Sequence, residues 1–94
     1  LYQLQPTTLH TDPLLIVRFL EGDQAAFDTL YNRYYQAVYN NAYTILKDAP
    51  AAEDILQETF ISLWQKRSTL RNPENVGGWL FVTATNKSTG RSIT

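Results

Sequence analysis

Two stretches of the chain repeat their apolar residues at the spacing of one helical face, and one short break separates them. Between residues 24 and 46, Phe27, Leu30, Tyr31, Tyr34, Val38, Ala42 and Ile45 recur at intervals that a 3.6-residue turn lines up on one side. Between residues 50 and 67, Ala52, Ile55, Leu56, Thr59, Phe60, Leu63 and Trp64 do the same. Two long amphipathic helices follow. The sequence has no strand-period runs with hairpin turns, no internal repeat and no low-complexity stretch, so a sheet-based fold is excluded.

The break is Lys47-Asp48-Ala49-Pro50, where the residue before proline is pushed away from helical geometry. Upstream, Asp12-Pro13 marks a helix start. The Asp side chain can accept first-turn amides, and Pro loses nothing at the first helical position. A short helix to about residue 20 is predicted, then a left-handed stop at Gly22 and a cap at Asp23. Downstream, residues 68–78 contain Asn72-Pro73 and Gly77-Gly78 and read as a loop into a fourth helix. That helix starts near Asn75 and buries Val76, Trp79, Leu80 and Thr83. Beyond Lys87 the residues are poor helix formers, and the helix is expected to fray there. The fold class is therefore all-α, a small bundle of three main helices plus a short N-terminal one. Tyr31, Tyr34, Tyr35, Tyr39 and Tyr43 read mostly as core or core-edge residues with hydroxyls reaching water, rather than as a stacking surface.

At 94 residues and 44 % hydrophobic, the chain can bury one core but not two. The domain is expected to span residues 12–94. Residues 1–11, which hold the single His10 and show no helical period, read as a flexible tail. The first residue is Leu1 rather than Met, so a trimmed fragment is expected. The apolar run at residues 14–17 is only four long, far short of the roughly 18 to 20 residues a membrane span needs. No membrane role is expected. The absence of Cys excludes disulfides, thiolate zinc sites and cysteine nucleophiles.

The net charge of −1 conceals a division. Residues 1–58 hold eight acids and three bases, a balance of −5, whereas residues 59–94 hold five bases and one acid, a balance of +4. A negative front and a positive back raise the question of two partners. Chance clustering gives the same division.

Catalysis needs a His, a Cys or converging carboxylates in a pocket. The one carboxylate cluster, Glu53, Asp54 and Glu58, falls on a helical face with Gln57 and Ile61, away from the apolar stripe. Carboxylates on an exposed face make poor general acids, and a metal ion would want more oxygen ligands. The chain is not expected to be an enzyme, and no cofactor is expected. Asp54, Gln57, Glu58 and Ile61 instead form a surface suited to a basic helix of another protein. A plain solvated face gives the same pattern.

The string Ala52-Glu53-Asp54-Ile55-Leu56-Gln57-Glu58-Thr59-Phe60, followed by Leu63-Trp64, Trp79-Leu80 and Asn86, resembles region 2 of bacterial sigma factors of the extracytoplasmic-function group. The spaced residues Asp23, Ala26, Phe27, Leu30, Tyr31, Arg33 and Tyr34 are similar to the opening of that domain. Together these motifs span residues 12–87. The resemblance implies a cytoplasmic transcription initiation factor whose third helix docks on the coiled coil of the RNA polymerase β′ subunit through Asp54, Gln57 and Glu58. It also implies that the following loop and fourth helix recognise and help melt the −10 promoter element by capturing an unstacked base of the non-template strand. An anti-sigma factor is a candidate further partner. A helix-turn-helix domain that reads the −35 element is implied as well and is absent from these residues, so the chain is expected to be about half of the working protein.

For the DNA side, Lys66, Arg67, Arg71, Lys87 and Arg91 offer phosphate contacts. Asn72 and Asn75 can hydrogen-bond an extruded base, and Val82, Thr85, Asn86 and Phe81 can project toward DNA. Trp79 can serve as core or as a stacking wedge, and its neighbour Leu80 favours core. Two departures from the family stand out. Gly78-Trp79 replaces the aromatic pair of primary sigma factors, and Gly90 takes the place of an acid. The competing reading is a helical protein-interaction adaptor or regulator without nucleic-acid binding.

Overall fold

The computed structural model describes residues 12–93. Four helices follow in order: α1 (Pro13–Leu20), α2 (Gln24–Leu46), α3 (Ala49–Gln65) and α4 (Val76–Ile93). Two 3₁₀ turns, Arg67–Thr69 and Pro73–Asn75, bridge α3 to α4. The described residues contain no strand. The proposed tail and His10 lie outside them.

The starts of α1 and α2 form as the side chains dictate. The Asp12 carboxylate accepts the Leu14 amide at 3.2 Å, and Asp23 accepts that of Ala25 at 2.9 Å. Between them Gly22 turns the chain at φ 93°, a left-handed conformation that favours glycine. Arg18 reaches across this turn to Asp23 at 3.2 Å. That hydrogen bond is the main reason the Asp23 carboxyl lies below its ordinary value.

The break between α2 and α3 has a different cause from the one expected. Lys47 adopts a left-handed conformation at φ 54° and donates its amide to the Tyr43 carbonyl at 2.8 Å, while Asp48 is extended. Pro50 then sits in the first turn of α3. Its missing N–H falls among amides that have no helical acceptor anyway, so it starts the helix instead of breaking one.

α2 runs through the middle of the bundle and packs on both α3 and α4. Leu30, Ile55, Leu63, Val76 and Leu80 are fully buried between them, and Phe19 of α1 closes one end. Around Phe19 an aromatic cluster joins three helices: Phe27 lies 5.2 Å from Trp64 and 6.2 Å from Phe60. α4 approaches α2 closely at Gly77, where a Cβ would stand 2.9 Å from the Tyr34 ring. Of the five tyrosines of α2, Tyr34 is buried, Tyr31 and Tyr39 lie at the core edge, and Tyr35 and Tyr43 are exposed.

Three boundaries or faces differ from expectation. α3 stops at Gln65 rather than Arg67, and Arg67 folds back over its last turn: its guanidinium lies 4.1 Å over the Trp64 ring and donates to the Trp64 carbonyl at 2.7 Å, satisfying a carbonyl the helix end leaves free. The buried stripe of α4 is Val76, Gly77, Leu80, Ala84 and Ser88, leaving Trp79 and Thr83 half-buried at its margin. Most importantly, α4 does not end near Lys87 but continues to Ile93. Ala84 and Ser88 are buried, and Arg91 pairs with α3, so packing overrides the weak helix propensity of these residues.

Candidate functional site

Two separate surfaces carry the polar residues singled out above. The first is the solvent side of α3. A rigid helix that buries Ile55, Thr59 and Leu63 must turn Asp54, Gln57, Glu58 and Ile61 outward, and all four are exposed, Ile61 by 53 %. Arg91 reaches this surface from α4 and lies 2.9 Å from Glu58 and 3.5 Å from Asp54. The structure thus puts Arg91, expected among the phosphate contacts, on the acidic face. Contacts between distant helices cannot be read from periodicity, so the sequence carried no local signal for this pairing.

The second surface is an open cleft of about 460 Å³ where α3, the two 3₁₀ turns and the start of α4 meet. Lys66, Arg71, Asn72, Asn75, Trp79 and Val82 all line it, joined by Gly78 from the glycine-bearing loop and by Thr69 and Leu70, which residue type alone does not mark as DNA contacts. The Gly77-Gly78 doublet was the available signal for Gly78. A Cβ there would stand 2.8 Å from the Asn75 amide, so glycine lets that side chain lie close over the helix. Two cations, two amides and a half-buried indole therefore share one opening, a set that can hold a flat heteroaromatic ring and the phosphates flanking it.

The remaining candidates lie elsewhere. Arg67 is held against Trp64 and does not line the cleft. Thr85 turns toward α2, where its hydroxyl accepts the Asn41 amide at 2.8 Å. Asn86 is exposed one turn beyond Val82 and extends the same ridge of α4, as does Phe81 on its far margin, 52 % exposed. Lys87 is half-buried. Among the described residues no group of His, Cys, Asp or Glu could hold a metal ion, and no helix is long and apolar enough to cross a membrane.

Comparison with known proteins agrees with the all-α fold. The family model for Sigma-70 region 2 matches residues 30–90. The chain is 30 % identical over 79 residues to the RNA polymerase sigma-H factor of Pseudomonas aeruginosa, covering 84 % of this chain and 41 % of that protein. It is 33 % identical over 78 residues to the ECF RNA polymerase sigma-E factor of Escherichia coli, covering 81 % and 39 %. It is 32 % identical over 71 residues to the ECF RNA polymerase sigma factor SigW of Bacillus subtilis, covering 76 % and 38 %. The chain thus spans about two fifths of the length of these relatives. No solved structure matches it. Its helical bundle, its motif-bearing α3 and these similarities agree, and the chain belongs to the Sigma-70 region 2 family, in the form carried by extracytoplasmic-function sigma factors.

Proposed function

We propose that this domain acts in transcription initiation in the cytoplasm, binding core RNA polymerase through α3 and promoter DNA through the cleft at the start of α4. The polymerase partner is the β′ coiled coil, contacted by Asp54, Gln57, Glu58 and Ile61. The nucleic-acid ligand is the non-template strand of the −10 element, with one base extruded into the cleft. An anti-sigma factor covering either surface would inhibit. The observation that carries this reading is the convergence of Lys66, Arg71, Asn72, Asn75 and Trp79 on one opening, apart from the carboxylate face.

Extruding a base costs least when the strand is already single. Single-stranded non-template −10 DNA is therefore expected to bind more tightly than duplex of the same sequence, and equal binding to both would remove base capture. With Arg67 and Arg91 engaged within the fold, two or three phosphate-contacting cations remain. The logarithmic salt slope on single strands should then be about −1.4 to −2.1, at roughly −0.7 per contact. For the other surface, Gln57→Ala combined with Glu58→Ala should weaken binding to the β′ coiled coil while the circular dichroism spectrum stays unchanged. Unaltered affinity would exclude the docking face. Absence of DNA binding under all conditions would favour the adaptor reading.

A further inference from the structure

The last turns of α4 are made of residues that do not favour a helix. Ser88, Thr89, Gly90 and Ser92 follow one another around Arg91, and the buried Ser88 hydroxyl has no hydrogen-bond partner among the described residues. This end of the helix is nevertheless formed. Arg91 ties it to α3, 33 residues distant in sequence, through Glu58 at 2.9 Å and Asp54 at 3.5 Å. The side chains of Asp54, Glu58 and Arg91 keep 69 %, 46 % and 36 % of their exposure. The guanidinium therefore lies on the acidic face and not beneath it, open to exchange with another cation.

We infer that Arg91 is an internal competitor for the docking face of α3: a basic helix that binds Asp54 and Glu58 must displace it, and displacement releases the C-terminal turns of α4. The inference rests on the docking reading above. One guanidinium is exchanged for a cation of the partner, so the carboxylates stay paired and the face remains selective for basic partners. Because the pairs are exposed, the competition is mild. Solvated ion pairs of this kind correspond to about a two- to five-fold change in an equilibrium constant.

The test measures the affinity of the 94-residue chain and its variants for core RNA polymerase. Arg91→Gln should bind about two- to five-fold more tightly than the parent chain, and Arg91→Lys should bind like the parent. Gly90→Ala combined with Arg91→Gln restores helix propensity and should retain the gain, whereas Gly90→Ala alone should give none. Amides of residues 88–93 should exchange faster in the parent chain once polymerase is bound. Equal or weaker binding by Arg91→Gln, in the presence or absence of Gly90→Ala, overturns the competitor and leaves the docking face standing. Failure of parent and variants alike to bind polymerase removes the docking face and the inference with it.

Discussion

The α3 face and the α4 cleft lie on one small bundle but are built in opposite ways. The α3 face belongs to a single 17-residue helix anchored by six buried residues, so its outward side chains are held in register whatever binds them. The cleft is assembled from the end of α3, two 3₁₀ turns without a buried residue, and the glycine-rich start of α4. Half-buried Leu70 and Pro73 tether those turns. Segments with few buried apolar contacts open more easily than the core. One surface is therefore a preformed platform, and the other can adjust around a ligand. That division suits the proposed function, in which one surface docks on a protein and the other accommodates a distorted nucleic acid.

The largest effect expected to break this comparison comes from Trp79, which lines the cleft. Trp79→Ala should weaken binding of single-stranded −10 DNA by about 1–3 kcal/mol, the range for one base–aromatic stack, and leave polymerase affinity unchanged. A fluorescence-anisotropy titration checks the first and a polymerase pull-down the second. The neighbouring glycines test how far the cleft is separable from the bundle. Gly77→Ala drives a methyl group into the Tyr34 ring. After the gain in helix propensity, it should cost about 1–2 kcal/mol, lowering Tm by several degrees in a thermal melt. The atoms nearest to the methyl group of Gly78→Ala belong to the Asn75 side chain, which can swing aside, so this variant should leave Tm nearly unchanged while weakening DNA binding.

Ser88 tests the stability of the end of α4, which pairs with the α3 face. Its hydroxyl is buried without a partner among the described residues, so Ser88→Ala should stabilise by about 1 kcal/mol and raise Tm by about 4–8 °C. The smallest effect concerns Asp23, which does not line the cleft. Its native carboxyl titrates below its ordinary value of 3.8, so its contribution to stability is present above that pH. It is lost as pH falls through the lower native value. Acid titration of Asp23→Asn should show a slightly flatter loss of stability than the parent chain below pH 3.8.

The two surfaces also differ in how far they could be read from residues alone. For α3, a continuous helix with a strong apolar stripe leaves one orientation, and Asp54, Gln57, Glu58 and Ile61 are all exposed as their spacing requires. For the cleft, six candidates converge, but Arg67 is drawn onto Trp64, Thr85 onto Asn41 and Arg91 onto Glu58. A long basic or hydroxyl side chain goes to whichever partner folding brings near, and periodicity says nothing about that partner. The same reason explains the end of α4. Local propensity favours fraying after Lys87, but the packing of Ala84 and Ser88 and the reach of Arg91 hold the helix to Ile93.

Helical periods and capping residues, acting over a few neighbours, were enough to specify an all-α bundle, its first turns and the outward face of α3. The division of charge into −5 and +4 was equally plain in the linear chain. Tertiary packing alone decided that one of those positive charges would lie on the acidic side, because an ion pair between Arg91 and Glu58 exists only once α3 and α4 are side by side. Local interactions depend on spacing along the chain, which a sequence displays. Pairing across helices depends on distance in space, which only the folded bundle sets.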